Sequence, residues 1–501
     1  MDRQEFSLLV ARLERDAEDH PGWYTAKVAA VAALGYLVIA LLAFAILATG
    51  WHALAPLFSG GPPRPTSMLA ALFGSVTLAA VVRVLWVKLD GPTGRPLERA
   101  EAPRLFTLID QMCEAVGGVP VHSVTLTGEF DAGISQIPRW GVFGNYRNHL
   151  VIGLPLLIAL DTEEFQAVLA HELGHLSGHH GKFKSWIYRQ RRTWHALEAR
   201  FAEPRNGLER LLAYFYGWYA PYFQAYSFVL ARKHEYDADQ VAAYVTNDRS
   251  IASALIKVDL VGRFLEEVFW PRLYSQLERS PEPPYPPYSL MHRAYKVAEK
   301  QWACEEWLTQ ALRRLATPGD THPSLTERLA ALAIEPMLPT YDTGRSALAL
   351  LAPSAASLVK HFDEEWLREY GPQWREQHEA LKQTRAKLRA LERHPDSELS
   401  AEQLWEKATL LLEVDATEAA IEALGVLVAR PEPAPRAHML LAQLLLERGE
   451  DRGLDHLLLV AQQDKEMALD AARAGYAYLE QRGRRSEANR FWTKMQEAQA
   501  A

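Results

Sequence analysis

The most pronounced apolar pattern in the chain is an uncharged run close to the amino terminus. Residues 28–51 read VAAVAALGYLVIALLAFAILATGW and carry no charge. As a helix, which rises about 1.5 Å per residue, this run would cover the roughly 30 Å hydrocarbon core of a bilayer. A second run at 67–87, SMLAALFGSVTLAAVVRVLWV, is interrupted only by Arg83. We therefore predict a two-helix transmembrane hairpin over 25–89, with a buried core helix as the alternative interpretation of the first run.

Basic residues flank the two apolar runs and are scarce between them. The connecting loop carries one cation, whereas four cations precede the first run and four follow the second. Because cytoplasmic loops of membrane proteins are enriched in Lys and Arg, both ends of the chain are expected in the cytoplasm, including a cytoplasmic segment at 1–24. The flanking cations are Arg3, Arg12, Arg15 and Lys27 on one side and Lys88, Arg95, Arg99 and Arg104 on the other.

A third uncharged run, at 211–231, differs from the first two. It reads LLAYFYGWYAPYFQAYSFVLA and contains Pro221 and several tyrosines. The polar tips of tyrosines suit a membrane surface or a protein interior better than the centre of a bilayer. We predict a long core or interfacial helix here rather than a third span.

Most of the remaining chain has the periodicity of helices. Two short strand-like runs, around 124–126 and 149–152, predict a small sheet. Beyond Pro336 the pattern is purely helical, and the charged stretch at 364–392 indicates a long solvated helix within a helical linker at 336–395.

The end of the chain carries a weak internal repeat. Its three segments align at a period of 34 residues, which is typical of tetratricopeptide-like helix pairs. We expect such pairs over 396–501, where they would bind a protein partner, with a plain helical bundle as the alternative. The aligned segments are 411–424, 445–458 and 478–492.

Composition narrows the classes of function. A chain of 501 residues suggests several domains, and a net charge of −8 without a basic stripe argues against a nucleic-acid partner. The two cysteines, Cys113 and Cys304, are far apart and in no metal-binding spacing. We therefore expect neither a disulfide framework nor a cysteine-based metal site.

The stretch HELGHLSGHH at 171–180 predicts a metal site. In a helix, His171 and His175 lie one turn apart on one face, where two imidazoles can bind the same zinc ion. His179 and His180 follow a glycine and are expected on the surface or at the rim of the site, not on the metal.

The residues around this pair support a helix and a catalytic role. Asp161 and Glu164 match a capping box that would begin the helix. Glu172 lies beside the face that carries the histidines, where its carboxylate can take a proton from a water molecule as a general base.

Two histidines do not complete a zinc site, so a third ligand is required. The stretch ARKHEYDADQVAA at 231–243 offers Glu235 as that ligand. Asp239 follows one helical turn later and can accept a hydrogen bond from the free N–H of a ligating histidine. Standing alone, this stretch would more often be an exposed acidic helix face.

These motifs resemble the gluzincin metallopeptidases of the family that contains the HtpX heat-shock proteases and the CAAX prenyl proteases. The resemblance rests on a membrane hairpin, AVLAHELGHLSGHH, a tyrosine-rich helix, ARKHEYDADQVAA and THPSLTERLAAL at 321–332, in that order. It covers roughly 90–335. It implies a mainly α fold with a small β-sheet, in which a membrane-anchored zincin-like metallopeptidase domain precedes the α-helical repeat region. It also implies a bacterial inner membrane, with this domain facing the cytoplasm.

The resemblance assigns roles to individual residues. It implies one zinc ion held by His171, His175 and Glu235, with Glu172 as the general base. It also implies that Asp239 accepts a hydrogen bond from a ligating histidine. In the same family the THP segment lies beside the metal, which makes His322 and Arg328 candidates for stabilising the oxyanion.

In relatives, the substrate backbone also pairs with an edge strand, which the dipeptide Asn-Ala usually marks in the sequence. This chain has Asp131, Ala132 and Gly133 at the corresponding place. The addition of an extended peptide to this strand is the expected mode of substrate binding.

Two hypotheses of function follow. The first is a membrane-bound zinc endopeptidase that cleaves extended segments of protein substrates, with a role in the quality control of membrane proteins. The second is a membrane scaffold with a structural zinc site and helical repeats that bind partners. Structural zinc sites are usually closed by four protein ligands, whereas this one offers three, which favours the enzyme.

Overall fold

The computed structural model describes residues 3–58, 69, 91–118, 120–139, 145–176, 187, 207–316 and 322–500. These residues are mainly helical and include one four-stranded sheet, so the prediction of a mainly α fold with a small sheet is confirmed. The second predicted span, apart from Leu69, lies outside the described residues, as do His179 and His180. The chain forms two compact units, Met1–Arg272 with Tyr285–Trp366 and Leu273–Pro284 with Leu367–Ala501.

Three long helices build one core of the first unit. Helix α1 spans Arg3–Asp19, α2 spans Pro21–Phe58 and α6 spans Gly207–Val245. The first predicted span lies within α2, and the run 211–231 lies within α6. In the part of the chain that the structure describes, no helix is both long enough and apolar enough to cross a membrane.

The tyrosine-rich run serves as a core helix, as predicted. Aromatic side chains of α6 are buried against α1 and α2, and the Tyr219 hydroxyl donates to the carbonyl of Val31 at 2.9 Å. The shared core comprises Val10, Leu13, Tyr24, Val28, Ala32, Tyr216, Tyr219, Phe223 and Phe228.

The sheet has the strand order β1-β2-β4-β3. Strand β1 is antiparallel to β2, β2 is parallel to β4, and β3 is antiparallel to β4. The strand-like runs at 124–126 and 149–152 are confirmed as parts of β2 and β4. Strand β3, whose pairing the sequence did not predict, runs along the sheet edge from Ala132 opposite Ile152 to Pro138 opposite Tyr146. The strands are Arg95–Leu97, Ser123–Thr127, Ala132–Pro138 and Tyr146–Gly153.

Shorter helices surround the sheet in the first unit. They are α3 at Pro103–Ala115, α4 at Leu154–Ala159, α5 at Thr162–Gly174, α7 at Asp248–Phe264, α8 at Trp270–Tyr274, α9 at Pro287–Val297, α10 at Glu299–Trp302, α11 at Glu305–Arg313 and α12 at Leu325–Ala331. Both cysteines are free and partly buried.

A buried ion pair holds the start of α5. The predicted capping box is confirmed, because Asp161 caps the helix and Glu164 reaches back to the Asp161 amide at 2.8 Å. The carboxylate of Glu164 also accepts hydrogen bonds from Lys257 and Ser253 of α7, both at 2.6 Å. Glu164 and Lys257 are only 4 % and 2 % exposed. Removing one partner of such a pair typically costs about 3–5 kcal/mol, since it leaves a buried charge unpaired.

The carboxy-terminal part is helical throughout its described residues. Helix α13 at Ala355–Leu391 is followed by six helices, and two apolar cores lie among them. The helices begin in pairs at 401, 435 and 468, but the tetratricopeptide-like repeat remains a prediction. They are Ala401–Glu413, Thr417–Val428, Pro435–Glu447, Arg452–Gln463, Ala468–Gln481 and Arg485–Ala500, named α14 to α19.

Candidate metal centre

Helices α5 and α6 bring three predicted ligands together. His171 lies in the last turn of α5, and His175 is its C-cap with helical backbone angles, so the two residues keep the spacing of one turn. Their Nε2 atoms are 3.2 Å apart. Oxygen atoms of Glu235, on α6, lie 3.5 Å from the Nε2 atom of each histidine.

These distances fit a tetrahedral metal ion. At bond lengths of about 2.0–2.1 Å, neighbouring ligand atoms of a tetrahedral zinc ion lie about 3.3–3.4 Å apart. The two histidine nitrogens are 3.2 Å apart, and each lies 3.5 Å from a different oxygen of Glu235, so that one atom from each of the three residues lies within 4.8 Å of the other two. His171 and Glu235 are buried and His175 is partly buried, while the donor set supplies three ligands and leaves one position open. His171, His175 and Glu235 can therefore bind a metal ion.

Asp239 contacts His171, one of the predicted ligands, and Arg328 contacts Asp239. Asp239 is fully buried one turn after Glu235, and its Oδ1 atom is 2.9 Å from His171 Nδ1. Since a carboxylate accepts, His171 donates from Nδ1 and directs the lone pair of Nε2 towards the other ligands. Arg328, on α12, donates to both oxygens of Asp239 at 2.6 and 2.8 Å. The contact with Arg328 therefore keeps Asp239 charged and oriented.

The three predicted ligands favour different states of ionisation: His171 is held protonated, His175 neutral and Glu235 negatively charged. Burial lowers the pKa of His171, but hydrogen bonds to Asp239 and Glu235 outweigh it and raise the pKa to about 9. Burial and the charge of His171 lower the pKa of His175 to about 3. Burial opposes ionisation of Glu235, yet hydrogen bonds with His171 and His322 hold its pKa well below the ordinary value.

His322 lies at the open side of the site. Its Nδ1 atom donates to Glu235 Oε2 at 2.7 Å, and its side chain is 61 % exposed. The hydrogen bond with Glu235 raises the pKa of His322. Because Nδ1 is engaged, the ring nitrogen that can reach a ligand in the cleft is Nε2.

Glu172 lies between the metal ligands and the edge strand. Its Oε2 atom accepts a hydrogen bond of 3.3 Å from the backbone N–H of Ile134 on β3. Burial raises the pKa of Glu172 to about 7; His171 opposes this rise, while the charges of Glu235 and Asp131 add to it. A carboxyl group with a pKa near neutrality is well matched to general acid–base catalysis.

The structure thus brings all seven predicted residues into one neighbourhood, although Arg328 contacts Asp239 and is only 13 % exposed. Two contributors were not predicted. Ile134 could have been found from the apolar alternation in AGISQI, which indicates a half-buried strand. Arg232, one turn before Glu235, bridges Glu14 of α1 and Glu327 of α12 at 2.7 Å each, and no local pattern announces it.

The contact between Asp239 and His171 generates a prediction. In the Asp239→Asn variant, the amide is a weaker acceptor for His171 and leaves the partly buried Arg328 without its anionic partner. Loss of such a contact typically lowers metal affinity by about 10–100-fold. Zinc affinity is measured by competition with a chromophoric chelator. Asp237→Asn, on the same helix but a different face, serves as the control, and an equal loss in both variants would contradict the role of Asp239.

Comparison with known sequences adds independent support. No curated protein matches the chain. Residues 142–335 match the sequence model of peptidase family M48, a zinc-dependent family. The matched region contains the helices that carry His171, His175 and Glu235 and ends just after α12. This match and the three converging ligand atoms together support the assignment of the chain as a metallopeptidase of the gluzincin M48 family.

Proposed function

We propose that residues 90–335 form a zinc-dependent endopeptidase that cleaves extended segments of protein substrates. The observation that carries this proposal is the convergence of two imidazole nitrogens and one carboxylate, 3.2–3.5 Å apart, beside the partly buried Glu172. A site with three protein ligands leaves a position for substrate, as catalytic zinc sites do.

Glu172 is the proposed general base. When bound, zinc would polarise the scissile carbonyl and lower the pKa of a water molecule in the cleft. The Glu172 carboxylate would take a proton from the attacking water and deliver it to the leaving amine. Its hydrogen bond with the N–H of Ile134 fixes the carboxylate at the edge of the sheet, where the substrate backbone would lie.

His322 and Arg328 have different proposed roles. The exposed side chain of His322 can donate from Nε2 to the developing oxyanion, while its bond to Glu235 orients the ring. Arg328 is 13 % exposed and is engaged with Asp239, so we propose that it acts through Asp239 on His171.

Strand β3 is the proposed docking site for the substrate backbone. It is the last strand of the sheet in the described part of the chain, and its other edge pairs with β4. An extended peptide can add to such an edge through backbone hydrogen bonds, which bind without regard to the substrate's side chains.

Glu172→Gln tests the catalytic role. The amide keeps the size of the side chain but cannot take a proton from water, so turnover should fall by at least about 10²–10⁴-fold. Zinc should stay near one ion per chain, because the three ligands are unchanged. His175→Ala should lose both zinc and activity. Cleavage of casein and of a quenched peptide library, together with metal analysis, measures both effects.

The same experiment separates an enzyme from a scaffold. If Glu172→Gln cleaves as fast as the parent, the role of Glu172 is wrong. If the parent protein holds zinc but cleaves nothing in the library, the site is structural and the scaffold with partner-binding helices replaces the enzyme.

We also propose that the chain is attached to a membrane through residues 25–89. The uncharged run 28–51 supports this, as do large apolar side chains of α2 that are more than half exposed, namely Leu37, Leu41, Phe44, Leu47 and Trp51. Substrates would then include misfolded membrane proteins, and the catalytic residues would face the cytoplasm of a bacterial cell.

Membrane attachment has its own test. Fractionated cells should retain the full chain in the membrane pellet after an alkaline carbonate wash, because the apolar run would be buried in lipid. A reporter fused at residue 60 should read as external, and one at the carboxyl end as internal. Recovery of the chain in the carbonate supernatant would contradict the proposal.

The helices at 396–501 are proposed to bind a protein partner or to present substrates. None of the site residues lies in this region. Truncation after residue 395 should therefore leave zinc content and the cleavage of a short peptide within about twofold of the parent, while cleavage of a natural protein substrate falls. Parallel assays on both substrates measure this, and loss of zinc would show that the region supports the catalytic fold.

A further inference from the structure

The turn between β2 and β3 places an acidic residue at the start of the edge strand. The turn reads GEFD, with Gly128 directly after β2 and Asp131 directly before β3. The backbone carbonyl of Asp131 accepts from the N–H of Gly153 at 2.7 Å, which joins the turn to the end of β4.

Close packing on three sides holds this turn. A Cβ atom at Gly153 would lie 1.9 Å from the carbonyl oxygen of Glu129, and one at Gly128 would lie 2.3 Å from the hydroxyl of Tyr288. Glycine is therefore needed at position 153 for the two backbones to approach, and at position 128 it leaves room for the Tyr288 hydroxyl. The ring of Phe130 lies against Gly262 of α7. The position of Asp131 is thus set by the fold.

Asp131 lies next to the proposed catalytic residues. Ile134, three residues further along β3, donates its N–H to Glu172, and three residues of a strand span only about 10 Å. The charges of Asp131 and His322 interact, and the charge of Asp131 also acts on Glu172. Asp131 therefore lies at the end of β3 at which a peptide paired with the whole strand would begin or end.

One oxygen of Asp131 is available for a ligand. The Oδ1 atom accepts from the N–H of Ala132 at 2.8 Å, whereas Oδ2 has no hydrogen-bond or ion-pair partner among the described residues. The side chain is exposed. An asparagine here would keep the bond to Ala132 but would carry no charge, so the aspartate adds a negative charge at the cleft without being needed for the turn.

From this placement we infer that Asp131 is a specificity-determining residue that selects peptides with a cationic side chain, Lys or Arg, near the scissile bond. The inference rests on the proposed peptidase function. The substrate backbone would pair with β3, and the ammonium or guanidinium group would form a charge-assisted hydrogen bond with Oδ2. Since backbone pairing alone is indifferent to sequence, this contact would supply a preference that the edge strand lacks.

The test compares full-length parent, Asp131→Asn and Asp131→Lys on quenched peptides. A positional library first locates the site at which Lys is favoured, and matched peptides then carry Lys, norleucine or Glu at that site. The parent should cleave the Lys peptide with a kcat/KM about tenfold above the norleucine peptide, mainly through a lower KM, and added salt should reduce this ratio. Asp131→Asn should abolish the ratio, so that the Lys and norleucine peptides are cleaved with the same kcat/KM. Asp131→Lys should favour Glu.

Glu129→Gln is the control variant for the Asp131 substitutions. Glu129→Gln removes a neighbouring exposed charge from the same turn and should retain the preference for Lys. An equal fall for all peptides in Asp131→Asn would mean that the residue acts through Glu172 or His322, which overturns the inference. A parent that cleaves without preferring a cationic residue also overturns it but leaves the peptidase intact. Absence of cleavage of any peptide would instead overturn the proposed function.

Discussion

The candidate centre depends on the charge of one fully buried carboxylate, that of Asp239. An isolated charge in a protein interior is costly, and this one is stabilised by two hydrogen bonds from Arg328 and one from His171. In return, Asp239 fixes which nitrogen of His171 carries the proton and thus which nitrogen can bind a metal. Helices α5, α6 and α12 meet at this contact, so their packing and the geometry of the ligands are set together.

The site was more predictable from the sequence than its surroundings were. The pair His171 and His175 follows from helical periodicity, because residues four positions apart share one face. Asp239 follows from Glu235 by the same rule. The distance between α5 and α6, by contrast, arises from packing over long stretches of chain. The need for a third ligand made Glu235 a candidate, and the resemblance to a known family supported that choice, but only the structure shows Glu235 beside the two histidines.

Outside the site, polar contacts between residues far apart in sequence could not be predicted. Lys257 lies in the largely apolar stretch ALIKVDLV together with Asp259, but its ion-pair partner Glu164 lies 93 positions away in sequence. Arg232 is similar, since it joins Glu14 and Glu327 from opposite ends of the first unit's sequence. The family resemblance placed an edge strand at β3, but its register was not predicted, because its seven residues form a strand through pairing with β4 and short strands have weak local signals.

The position of β3 as the last strand of the sheet among the described residues also bears on self-association. An edge strand that can accept a substrate can equally accept a strand from another copy of the chain, which leads to aggregation. Here the edge is short, begins beside a charged residue and ends at Pro138, which has no N–H to donate. Seven residues offer a track of about 23 Å. These features favour the pairing of β3 with one short unfolded segment over its pairing with a long strand of another folded copy. The strand that would bind substrate is therefore poorly suited to polymerisation.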